Sequence, residues 1–162
     1  MVAKQKGSSM IEILVALVVL TIGLLGIAGM QILSLKNANN AEHRYRASMI
    51  AYDMMERMRS NIPGVTADKY SAISVGSADS ADSAEESVSD CSSLCTSSKL
   101  AAYDVDMWKQ KIADLPNGTG KVIENAAGFE ITVAWQEQNT NRDQSANGAA
   151  LIVNEYKLEI EL

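Results

Sequence analysis

Between Ile13 and Met30 the chain carries no charged side chain. At about 1.5 Å per helical residue that run reaches roughly 27 Å, close to the hydrocarbon thickness of a bilayer, so as a helix it can cross a membrane. In a chain of 162 residues that is 47% hydrophobic, a run committed to lipid cannot also fill a soluble core, which leaves one modest domain for the remainder. Lys4 and Lys6 precede the run with no acid among them, and the positive-inside bias keeps such an N-terminus cytoplasmic and sends the rest across. A secretory signal would show small residues at a cleavage site after the run, whereas IAGMQILSLKNANN passes directly into a helix-compatible polar segment. On hydrophobicity alone the segment reads as an uncleaved signal anchor.

Glu12 is left unexplained by that reading, because an ionised carboxylate beside an apolar segment costs several kcal/mol unless something pairs with it. Lys-Gln-Lys-Gly followed by Ser-Ser-Met-Ile-Glu resembles the class III signal of type IV pilins and pseudopilins. The resemblance implies cutting by a prepilin peptidase after Gly7, N-methylation of the new N-terminal residue Ser8, and a role for Glu12 as the acid at the fifth mature position. In the family that acid neutralises the N-terminal ammonium of a neighbouring subunit, so it is costly alone and favourable in register. Ser8 stands where phenylalanine or methionine is common. Loss of residues 1–7 removes Lys4 and Lys6, so 14 basic against 20 acidic residues become 12 against 20, and a net charge of −6 becomes about −8. An acidic body disfavours nonspecific nucleic-acid binding.

Beyond the apolar run, QILSLKNANNAEHRYRASMIAYDMMERMRSN continues the helix. Tyr45, Met49, Tyr52 and Met55 recur at helical spacing and are expected to pack on the head, while Glu42 with Arg46 and Asp53 with Arg57 form i, i+4 pairs. Gly23, Gly26 and Gly29 weaken the helix by about 1 kcal/mol each relative to alanine. Two uses fit them: close packing of membrane helices through small residues, or local melting during assembly. Asn61 to Gly64, with Pro63 inside, ends the helix. Residues 1–7 are thus a leader, 8–60 the long helix with its membrane part at about 11–30, and 61–162 the head.

Within the head, residues 71–98 are crowded with serine, alanine and acids and read as an exposed loop; their spacing does not match an EF-hand. Cys91 and Cys95 form a C-x3-C pair that the topology places in an oxidising compartment, where a disulfide is expected, worth about 2 kcal/mol for so short a loop. Zinc would need further ligands, and His43 is the one histidine. A helix follows, capped by Ser97 or Ser98, with Leu100, Tyr103 or Asp104, Met107, Trp108 and Leu115 at helical spacing and Pro116-Asn117-Gly118 as its stop. Trp108 is expected in the core. Three strands are expected at Lys121 to Glu124, Gly128 to Gln136 and Ala150 to Leu162. In the second, Phe129, Ile131, Val133 and Trp135 alternate with Glu130, Thr132 and Ala134; in the third, Tyr156, Leu158, Ile160 and Leu162 do the same. The fold class is α+β, a long helix with membrane and amphipathic halves packed on a small antiparallel sheet with a second short helix.

Cys91-x3-Cys95, then LAAYD from Leu100, Met107-Trp108, LPNG-x-G from Leu115, and Gly128-Phe129 with ITV-x-W from Ile131, are similar to the PilV family of type IV pilus modification proteins, which are minor pilins. That resemblance implies a pilin fold and a subunit of the tip or priming complex, whose partners are other minor pilins, the major pilin, a tip adhesin, the prepilin peptidase and the inner membrane. It implies a single-pass inner-membrane protein with a periplasmic head, later found at the pilus tip on the cell surface. No enzyme is expected, since His43 has no second histidine or nucleophile motif beside it and no P-loop or dinucleotide fingerprint is present; no cofactor or metal is expected either. A minor pseudopilin of a type II secretion system and a signal-anchored periplasmic binding domain are the alternatives.

Overall fold

The computed structural model describes residues 9–76, 91, 95–139 and 151–162. Gly7, Ser8 and most of the serine-rich segment lie outside them. The elements are α1 (Met10–Ser60), α2 (Ile62–Thr66), β1 (Ile73–Gly76), α3 (Ser97–Ala113), β2 (Thr119–Asn125), β3 (Gly128–Gln138) and β4 (Leu151–Ile160). The chain divides into two units, one ending at Ala38 and one beginning at Asn39.

In the first unit α1 is helical throughout, Gly23, Gly26 and Gly29 included. A Cβ added at any of the three would meet nothing within 4 Å, so contacts within this chain do not require glycine there. The Thr21 hydroxyl donates to the Val18 carbonyl at 2.8 Å, which satisfies it without leaving the helix.

In the second unit the strands form one antiparallel sheet in the order β1-β2-β3-β4. The period-two pattern of β3 is kept: Phe129, Ile131, Val133 and Trp135 are buried, opposite Ile160, Leu158, Tyr156 and Asn154 of β4. The NAAG turn between β2 and β3 is closed by the Ala127 N–H donating to the Asn125 side chain at 2.9 Å, an Asx turn. Gly128 has φ +132, and a side chain there would run into the Ile160 carbonyl, so the position requires glycine. Trp108 is fully buried and donates its indole N–H to the Ile50 carbonyl at 3.0 Å. It lies against β2 because Gly120 has no Cβ to meet its ring.

Several expectations need correction. The face of α1 that packs on the head is Ala47, Ile50, Ala51, Met54, Met55 and Met58. Of the expected stripe only Met55 belongs to it; Tyr45, Met49 and Tyr52 are 65, 52 and 44% exposed. Ala47 and Ala51 are fully buried in one core cluster with Ile50, Met54 and Met58, so the packed side of the helix is not the one with the largest side chains. β1 falls inside the expected loop 71–98, with Val75 buried and Ile73–Gly76 paired to Val122–Thr119. The cap of α3 is Thr96, one residue before those expected, its hydroxyl accepting from the Lys99 N–H at 3.4 Å. Of Tyr103 and Asp104, the buried one is Asp104. β2 and β3 run longer than expected, and β4 stops at Ile160, leaving Leu162 exposed.

Cys91 and Cys95 are disulfide-bonded, with Cα atoms 5.7 Å apart. Cys95 directly precedes the Thr96 cap, so the bond holds the residue from which α3 starts. Replacing both cysteines with serine is expected to raise amide exchange in the first turn of α3 and to cost about 2 kcal/mol, with protection in β2, β3 and β4 unchanged. Hydrogen-exchange mass spectrometry checks this, and loss of sheet protection would contradict it.

Candidate functional site

The segment that singles this chain out is the start of α1. Ser9 opens the helix, its carbonyl accepting from the Glu12 N–H at 2.9 Å. Glu12 sits in the first turn, where a negative charge complements the helix dipole. From Met10 to Leu35 the large apolar side chains are all more than half exposed. The helix is long and apolar enough to cross a membrane, and its most apolar window buries nothing in this chain. A surface of this size and character is stable in lipid or against other chains and not in water.

In the head, the exposed side of α1 carries a ridge of Tyr45, Met49 and Tyr52. Tyr52 leans on Tyr156 of β4, ring centroids 6.4 Å apart. Glu42 pairs with Arg46 at 2.6 Å, as its spacing predicts. His43 is half-buried, its Nδ1 shielded from solvent without a hydrogen-bond partner.

Two buried carboxylates tie α1 to the rest of the head: Asp104, which helical spacing offered as an alternative to Tyr103, and Glu137, which sequence reasoning did not single out. Glu137, at the end of β3, receives both Arg44 Nε and Nη2 at 2.9 Å and the Trp135 indole N–H at 3.0 Å. Burial pushes its pKa up, but the hydrogen bonds from Arg44 and Trp135, with the charges of Arg44 and His43, outweigh it and hold the carboxyl below its usual range. Beside it Asn40 donates to the Gln138 carbonyl at 3.0 Å. Asp104 of α3 accepts from Arg57 at 2.9 Å and from the Tyr70 hydroxyl at 2.6 Å. Burial and the bond to Asp104 raise the Tyr70 pKa, so the phenol stays protonated and donates. Asn61 donates to the Tyr70 oxygen at 3.0 Å and to the Ser97 carbonyl at 2.8 Å. Asp53 completes the set, 2.8 Å from Arg57 and 2.7 Å from Lys111. Burial opposes its ionisation, and hydrogen bonds from Lys111 and Arg57 lower its pKa nonetheless.

Every member of these clusters is matched by a partner of opposite character, which is how a protein fixes one arrangement of its elements. An open groove of ≈ 820 Å³, lined among others by Met55, Arg59, Phe129, Leu158, Ile160 and Glu161, lies at the end of the sheet. Its ionisable lining residues are Arg59, Glu159 and Glu161.

Residues 2–28 match the prokaryotic N-terminal methylation motif, and residues 29–106 match the family described as type IV pilin Tt1218. Over residues 29–106 the chain is thus similar to a type IV pilin family, directly after a segment similar to the methylation motif. The methylation motif spans Gly7, Ser8 and Glu12, and the pilin match takes in the packing face of α1, Asn61, Tyr70, both cysteines and Asp104. No curated protein and no solved structure matches the chain. The architecture, a long helix with a four-stranded antiparallel sheet and further short helices, is pilin-like.

Proposed function

We propose that the chain is a minor pilin of the PilV type, a subunit of the complex that primes type IV pilus assembly and sits at the tip. The observation that carries this reading is the first turn of α1, where Glu12 heads an exposed apolar helix within the methylation motif. Prepilin peptidase cuts after Gly7, and Ser8 becomes a methylated ammonium. Glu12 then pairs with the N-terminus of an adjoining subunit as the apolar helices gather. The head, held outside the inner membrane until assembly, meets other minor pilins and the major pilin and supports presentation of an adhesin. The mixture of an apolar segment with a single acid favours ordered assembly over simple anchoring, because pairing with a neighbour's ammonium adds stabilisation in one register.

Gly7→Val is expected to leave a full-length precursor in the membrane fraction, read by intact-mass spectrometry. A chain that still begins at Ser8 would remove the basis of this proposal. Deletion of the whole gene separates a pilus role from a type II secretion role: the first predicts loss of surface filaments with secretion intact, the second the reverse.

A further inference from the structure

The sheet ends on one side in β4, whose Leu151–Ile160 are all paired with β3, one to one and without a bulge. Among the described residues no strand pairs its other side. An edge this long usually carries proline, a bulge or scattered lysines against pairing with another chain. Here the first residues of the edge, Leu151 to Asn154, carry no charge, and Leu151 and Val153 are 52 and 70% exposed on the outer face. The second half of that face is acidic. Glu155 and Glu159 alternate with Lys157, and Glu130 of β3 stands opposite Glu159. Lys157 lies 3.5 Å from Glu155 and 4.0 Å from Glu130.

We infer that the free edge of β4 is a docking strand for a different subunit of the same fold, whose edge strand is basic opposite Glu155 and Glu159 and apolar opposite Leu151 and Val153. Direction and charge select this occupant. In a neighbour with this fold standing the same way up, the edge on the β1 side runs antiparallel to β4, the sense of every pairing already present. A second copy of this chain does not complete the pattern, because the outward residues of its β1 are Ser74 and Gly76, opposite Lys121 and Thr119, and bear no charge. Two β4 strands side by side in parallel require one head to be turned over, which sets the acidic outer face of one copy beside the packed face of the other and brings no cation to Glu155 or Glu159. Antiparallel β4 strands could match Glu155 with Lys157. But α1 runs from Arg44 at Glu137 to Met55 and Arg59 beside Phe129 and Ile160, along β4, so that match would point the two α1 helices in opposite directions. Two chains held in one membrane cannot do that.

The inference rests on the pilin reading and is tested in cells making filaments, with a photo-crosslinking amino acid at Val153 of the full chain and, separately, at Met49 on the helix ridge. The expected result is an adduct at Val153 with a single different chain carrying an N-terminal methylation motif. Its yield is expected to fall about tenfold in Glu155→Lys with Glu159→Lys, as reversal of two cross-strand charge pairs implies, while the Met49 adduct is unchanged. An adduct with a second copy, an adduct with a chain lacking the motif, or no adduct at Val153 beside one at Met49 would overturn the edge assignment and leave the pilin reading standing. Absence of adducts with any such subunit from both positions would remove both.

Discussion

Arg44→Met is expected to destabilise the head by about 3 kcal/mol at neutral pH, far more than the loss of an exposed ion pair would. The asymmetry of the pair is the reason: the Arg44 side chain is 61% exposed and that of Glu137 is fully buried. Removing the arginine strands a carboxylate with only the Trp135 indole as donor, whereas Glu137→Gln keeps an acceptor for Trp135 and releases Arg44 to water, at a cost of about 1 kcal/mol. Combining Arg44→Met with Glu137→Gln, which keeps the acceptor of the Trp135 indole, is expected to regain most of the loss. The pH dependence distinguishes this account from simple loss of packing. In the wild type the Glu137 pKa is depressed, so its contribution is present above the unfolded carboxylate range near 4.3 and is lost as pH falls through the lower folded value. In Arg44→Met burial governs, the folded pKa lies above the unfolded one, and the mutant gains relative stability as pH falls. The gap between the two proteins should therefore be widest at neutral pH and close in acid. Urea unfolding of the purified chain in detergent at several pH values measures it, and a gap independent of pH would contradict the stranded-charge account.

Glu12→Ala and Glu12→Gln are expected to insert and be processed normally yet to enter filaments several-fold less than wild type, as loss of one weakly screened charge pair implies. Insertion gains nothing from a carboxylate, but docking against a neighbour's ammonium requires its charge, which glutamine lacks while keeping its shape. At a filament tip one side of the pair has no neighbour, so the loss is expected to be partial. The ratio of protein in sheared filaments to protein in membranes is the measurement. Wild-type ratios for both variants would end the charge-pairing explanation even for a pilin.

The parts of the fold written as strong periodic patterns were legible from the sequence: the apolar helix, the alternation of β3 and β4, Trp108 at a helical core position. The choice of face on α1 was not, because Tyr45, Met49 and Tyr52 satisfy the helical period as well as Ala47, Ala51 and Met54 do. Only tertiary packing decides between the two faces. β1 was hidden because a strand of four residues, Ile73–Gly76, is too short for its alternation to stand out beside a serine-rich stretch. Glu137 looks like a surface acid in sequence, and helical spacing alone left Asp104 undecided against Tyr103. Their burial follows from the partners that arrive from α1, Arg44 and Arg57, ninety-three and forty-seven residues away. Glu12 stands out in the sequence for the opposite reason, since its oddity lies in its immediate neighbours.

The methionines of α1 fall into two populations with different chemical fates. Met54, Met55 and Met58 are enclosed in the core, while Met10, Met30 and Met49 lie open. Thioether sulfur is oxidised readily where oxidant can reach it, and the sulfoxide is polar where the thioether was not. Peroxide reaching this protein in solution would therefore strike Met49 between its two tyrosines and spare the sulfurs on which the head is built. The ridge would lose its greasy character while the domain beneath it kept its shape, so oxidative damage would change the surface of the head before any failure of folding.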